Sequence, residues 1–180
     1  QHVVWLDVKH YLANQRQGTH KSKERAEISR STRKLVRQKG SGGARHGSAK
    51  SPIYVGGGRV FGPRPRDYDF KLNHKVKQLA RKSVLSARLA ENNLVVVEDF
   101  GFESPKTKSY IEFLTALELA GKKTIFVVNG AENNLYRSAR NIPRTKVVDV
   151  NSVNTYDLIN TDIILLAEGT ISQLETILKD

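Results

Sequence analysis

Residues 16–70 most limit what this chain can fold into. These 55 residues carry 14 Lys/Arg against 4 Asp/Glu, a net charge of +10, with only 13 apolar side chains. Ordering each residue costs ~1–2 kcal/mol. Thirteen scattered apolar side chains cannot remove enough surface from water to offset that. Eight of the 13 glycines lie between Gly40 and Gly62. The other 125 residues are different material, with a net charge of only +2 and 56 apolar residues. The chain therefore reads as one apolar-rich body, 1–15 and 71–180, interrupted by a basic, Gly-rich insert, 16–70. A length of 180 residues suits one domain with such an appendage. A structureless segment this long inside a compact domain is functional or disordered. Tyr54, Phe61, Tyr68 and Phe70, with the turn chemistry of Gly56–Gly58, Pro63 and Pro65, set it apart from a featureless linker. We expect it to be loose alone and to fold on a polyanion.

The body alternates strand and helix patterns. Leu72, Val76, Leu79, Ala80, Val84, Leu85 and Leu89 recur at helical spacing and predict a helix over 71–91. Leu94–Val97 is a fully apolar, β-branched run, as in a strand covered on both faces. Ser104-Pro105 has the chemistry of an N-cap and first-turn proline. The following helix carries Tyr110, Ile111, Phe113, Leu114 and Leu117 and is expected to stop at Gly121. Thr124–Val128 predicts a second buried strand, 132–141 a short helix, and Val147–Val150 and Ile163–Leu166 two more strands. Gly169-Thr170 opens a last helix, with Thr170 and Gln173 at capping-box spacing. Val3–Leu12 fits a helix better than a strand. The alternation predicts an α/β three-layer sandwich with a mostly parallel central sheet, plus a long extended basic loop inserted near the N-terminus.

Composition removes several function classes. No run approaches the ~20 apolar residues of a membrane span, so no membrane partner is expected. The N-terminus lacks the three regions of a signal peptide. The chain has no cysteine, which removes disulfides, thiolate metal sites and cysteine nucleophiles and fits a reducing compartment. Gly40–Gly47 and Gly56–Arg59 have neither the strand before nor the apolar helix after that a nucleotide-binding Gly-rich loop needs. The five histidines show no ligand spacing with carboxylates. Glu98-Asp99 follows the first buried strand, where α/β enzymes place catalytic carboxylates. Solvation, or a charge partner for a nearby Lys, accounts for the pair better. No catalytic residue, metal or cofactor is expected.

A sequence pI near 10.0 instead points to an anionic partner. Arg and Lys neutralise phosphates, and Arg also stacks on bases. Glycine admits close backbone approach, and Tyr54 and Phe61 can stack on splayed bases. Lys71, Lys75, Lys77, Arg81 and Lys82 carry the charge onto the 71–91 helix, with no acid between 71 and 82. The rivals to a structural RNA-binding protein are an RNA-modifying enzyme with a basic insert and a stand-alone RNA-binding regulator.

Particular runs carry a resemblance. They are Arg16-Gln17-Gly18-Thr19, Arg37-Gln38-Lys39-Gly40-Ser41-Gly42, Ala44-Arg45, Gly47-Ser48, Lys50-Ser51-Pro52, Gly57-Gly58 and Phe61–Tyr68. Pro105–Lys108, Asn134-Leu135, Ala139–Asn141, Asn154 and Tyr156–Leu158 extend it over the body. Together these resemble the large-subunit ribosomal protein four family along essentially the whole chain. Leu35-Val36 stands where family members often have Pro-Trp, and Tyr54 where the aromatic is often Trp. The chain holds no Met, even at position 1, so the family's first strand and turn are expected to be absent.

The resemblance implies a cytoplasmic, ribosome-bound structural protein. Its partners would be large-subunit rRNA, neighbouring large-subunit proteins, the nascent chain in passing and, in some bacterial members, the protein's own mRNA. It implies a loop tip at the peptide exit tunnel formed by Arg37, Gln38, Lys39 and Gly40. The residues expected to contact rRNA are Arg16, Lys21, Lys23, Arg25, Arg30, Arg33, Lys34, Arg37, Gln38, Lys39, Arg45, His46, Lys50, Tyr54, Arg59, Phe61, Arg64, Arg66, Lys75 and Arg81.

Overall fold

The computed structural model describes residues 1–130 and 133–179. The chain divides into two compact units, Gln1–Ala13 with Phe70–Asp180, and Asn14–Asp69. The first is an α/β sandwich. Its elements are α1 (His2–Asn14), α2 (His74–Ala90), β1 (Leu94–Val97), α3 (Thr107–Ala116), β2 (Thr124–Val128), α4 (Asn133–Ala139), β3 (Thr145–Asp149), α5 (Thr155–Ile159), β4 (Ile163–Ala167) and α6 (Thr170–Leu178).

The four strands form one parallel sheet in the order β1-β4-β2-β3. Successive side chains of a strand point to opposite faces, and both faces of this sheet are covered. Ile163, Leu165 and Ala167 of β4, with Phe126 of β2, pack against Tyr110 and Leu114 of α3 and Leu135 and Ala139 of α4. Ile164 and Leu166, with Ile125 and Val127, pack against Val84 of α2, Leu158 of α5 and Leu174 of α6. The crossover from β1 to β2 and that from β2 to β3 advance across the sheet, with α3 and α4 on one face. The return from β3 to β4 runs the other way, with α5 on the opposite face. A single right-handed crossover rule requires that change of face.

The alternating pattern thus produces the three-layer α/β fold, and the differences lie at element ends. Ser104-Pro105 does not open α3. Lys106 is the N-cap, without a side-chain cap bond, and Thr107 is the first helical residue. Nor does α3 reach Gly121. Leu117 closes it and Glu118 turns the chain at φ 58°, a left-handed position taken by a non-glycine. The Thr170–Gln173 capping box does not form, because Gly169 is the N-cap and Thr170 Oγ1 donates back to the Ala167 carbonyl at 2.6 Å. The predicted start of α2 moves from 71 to His74, after Asn73. Val150 leaves the third strand for a 3-10 turn, Val150–Ser152, whose preceding Asp149 accepts from the Asn151 amide. The expectation that β1 is covered on both faces fails. β1 pairs only with β4, and Val96 is 49% exposed at this sheet edge.

Val3–Leu12 lies within α1, which is anchored by polar as well as apolar contacts. Its buried Asp7 accepts a hydrogen bond from Thr155 Oγ1, Tyr11 stacks on Tyr156 at 5.1 Å, and Val4 packs on the α2/α6 side of the core. His10 meets Phe70 edge-on at 5.4 Å. The body therefore releases the chain after α1 and receives it again at a neighbouring point.

Candidate nucleic-acid interface

The second unit, Asn14–Asp69, contains no helix or strand after the end of α1. Its order comes from spaced backbone bonds between two limbs. Arg66 N–H donates to the Gly18 carbonyl (3.1 Å), Ser22 N–H to Pro63 (3.0 Å), Arg59 N–H to Lys23 (3.0 Å) and Leu35 N–H to Gly47 (3.0 Å). Partner numbers fall as residue numbers rise, so the limbs run antiparallel. Gly18 is required at the first closure. It sits at φ +65°, and a Cβ there would lie 2.0 Å from the Arg66 carbonyl oxygen.

Among the described residues, no buried apolar side chain of the core comes from Asn14–Asp69. Polar struts take the place of a core. Arg30 Nη1 donates to the carbonyls of Ala49 (3.3 Å) and Val55 (2.8 Å), which ties one limb to the other. Glu24 is engaged by Arg64, and Glu27 by Lys21 at 2.6 Å. The Lys21 contact holds the Glu27 carboxyl below the usual carboxylate range. Half of the segment's four carboxylates are thus neutralised internally. Meanwhile Val55 is 97% and Phe61 95% exposed.

The predicted residues fall into distinct places. Arg25, Lys34, Gln38, Arg45, His46 and Lys50 line one cavity of about 880 Å³. Tyr54 is outside that lining, with its ring 5.6 Å from that of His46. Arg33, Arg37, Lys39 and Gly40 are exposed around the turn, and Gly40 takes a positive φ. Lys23, Arg59, Arg64 and Arg66 are exposed along the two limbs. Lys75 is exposed on α2, and Arg81 is half-buried there, with its Nε lacking a partner. Arg30 is already committed to the limb strut. Sequence reading did not place Tyr68 among the contact residues. The Arg16 and Arg66 guanidinium groups lie over its ring at 3.7 and 4.5 Å from the centroid. The Arg66 hydrogen bond lowers the phenol's pKa. The signal was available in Arg66 standing two residues before an aromatic in a basic run, a spacing that puts both side chains on one side of an extended chain.

At the carboxyl ends of β1 and β4, the Asp99 carboxylate accepts the Gly169 amide at 3.0 and 3.2 Å. A Cβ at Gly169 would lie 2.6 Å from Asp99 Oδ2, so glycine admits the carboxylate to the start of α6. Glu98 and Asp99 are exposed, in line with solvation, and the Asp99 carboxylate is met by this backbone amide. Among the described residues, no group of His, Asp and Glu could hold a metal ion, and no helix is long and apolar enough to cross a membrane.

Fold and site together define a class: a two-faced α/β body carrying a coreless, cation-rich insert. Residues 1–177 match the Ribosomal protein L4/L1 family, and the chain belongs to that family. The protein of Cytophaga hutchinsonii named large ribosomal subunit protein uL4 is 56% identical over 178 residues, covering 99% of this chain and 86% of that one. Proteins of the same name from Phocaeicola vulgatus and Bacteroides fragilis are each 55% identical, over 178 and 177 residues, and the alignments cover 86% and 85% of them.

Proposed function

We propose that this chain is a structural constituent of the large ribosomal subunit, and that Asn14–Asp69 is its principal rRNA-binding element. Family membership supports the ribosomal role, which is structural and not enzymatic. It also implies rRNA and neighbouring large-subunit proteins as partners and the cytoplasmic ribosome as the place of work. The observation that carries the rRNA reading is the coreless insert itself. Its cations outnumber its carboxylates 14 to 4 over 16–70, and two of those carboxylates are already taken by Arg64 and Lys21. Such a surface is matched by a polyphosphate backbone. Phe61 and Tyr54 add faces on which unpaired bases can stack. The turn residues Arg37, Gln38, Lys39 and Gly40 are the part we assign to the wall of the exit tunnel.

The reading predicts two states of one segment. Free protein treated with a non-specific protease should be cut first between residues 20 and 66, because few buried contacts resist opening there. Large-subunit rRNA should suppress those cuts and leave the slow cuts in the body unchanged. Uniform resistance of the free chain, or cuts that rRNA does not affect, would contradict the proposal.

A further inference from the structure

Resting on that rRNA-binding reading, we infer that the cavity inside Asn14–Asp69 is a receptor for one unpaired nucleotide of the bound RNA. It is a groove open to solvent, and its volume of about 880 Å³ falls in the size range of small-ligand sites, roughly 300–1,000 Å³. Four cations line it, Arg25, Lys34, Arg45 and Lys50, against one carboxylate, Glu24. That carboxylate is already paired with Arg64. The lining is therefore cationic in effect and suited to the phosphates that flank a nucleotide.

A phosphate cage alone would accept any stretch of backbone. The aromatic wall makes the site more selective. His46 lines the cavity and packs against Tyr54 with the ring planes tilted by 54°. His46 Nδ1 and the Tyr54 hydroxyl are both enclosed, and neither has a hydrogen-bond partner. Enclosed polar atoms are normally paired, and leaving one unmet is costly. The unmet His46 Nδ1 belongs to a ring on the cationic lining and the unmet Tyr54 hydroxyl to the ring packed against it, and together they mark a binding element whose other half is missing. A nucleobase supplies that half, because its edge carries donors and acceptors and its face stacks on aromatic rings. A base held in a duplex has its Watson–Crick edge occupied and its faces stacked, so the nucleotide has to be unpaired.

The test compares an unpaired RNA oligonucleotide with a fully paired RNA duplex carrying the same number of phosphates, across a salt series. The full-length chain should bind the unpaired RNA about 10-fold more tightly than the duplex. The double variant His46→Phe/Tyr54→Phe keeps both rings and their packing but removes the two polar groups. It should lose most of that preference, with duplex affinity and salt slope unchanged. The single variant Tyr54→Ala should weaken binding to unpaired RNA by about 10-fold. If the wild-type chain binds both RNAs with a steep salt dependence and the double variant keeps the full preference, the nucleotide receptor is overturned while the rRNA reading stands. If the wild-type chain binds neither RNA, both fall.

Discussion

Replacing Arg25, Lys34, Arg45 and Lys50 together with Gln lowers affinity for large-subunit rRNA by about 10²–10³-fold at near-physiological salt and leaves the melting of the body unchanged. The loss comes from counterion release. Each neutralised phosphate contributes ~0.7–0.9 to the slope of log affinity against log salt, so four lost contacts flatten that slope by about 3. Extrapolated from ~1 M to ~0.15 M salt, a slope change of 3 amounts to a few hundred-fold. The body should not respond, because both of its apolar clusters are built from residues outside Asn14–Asp69. Fluorescence anisotropy of labelled rRNA across a salt series reads the slope, and thermal unfolding reads the body. An unchanged slope would remove these four residues from the phosphate-binding surface.

The converse substitution acts on the body. Leu165 is fully buried at the centre of β4, beside Val95 of β1 and Phe126 of β2 in the sheet, and belongs to the cluster with Tyr110 and Leu114. Leu165→Ala removes those contacts and leaves a cavity, which costs about 3–4 kcal/mol. That is a large share of a typical stability of ~5–15 kcal/mol. In a chain of this size it lowers the melting temperature by about 10 °C. Calorimetry checks the shift, and a drop of less than about 2 °C would contradict a sheet buried on both faces. Below its melting point the variant should bind rRNA with the wild-type salt slope, since every cation of the insert is untouched.

The fold was legible wherever burial wrote a period into the sequence. Ile125–Val128 and Ile163–Ala167 are apolar throughout because helices cover both faces of the sheet there, and both runs lie in central strands. Leu94–Val97 has the same composition but lies at the edge, and an apolar run alone does not report which strands flank it. Helix ends were harder to read, because local capping rules compete with longer-range contacts. Thr170 looked like an N-cap, but Asp99, 70 residues away, reaches the start of α6 instead. Glu118, just past the Leu117 cap of α3, takes a conformation that its residue type rarely adopts, and no local signal marks it. The short α5 was missed because five residues carry too little periodicity.

In the insert, charge and glycine content were readable at a glance, but the pairing of limbs was not. The Arg66-to-Gly18 closure and the Arg30 strut join residues far apart in a segment without periodicity. The same holds for the cavity. His46 and Lys34 were expected contacts individually, yet only the fold of the limbs places them around one space with Arg25 and Lys50.

The most direct test is sedimentation of extract from cells that make this protein. At moderate salt the chain should travel with the large subunit at one copy per particle and be released as salt rises. A chain found mainly in the light fractions, or present in large subunits well below one copy per particle, would contradict its assignment as a structural component of that subunit.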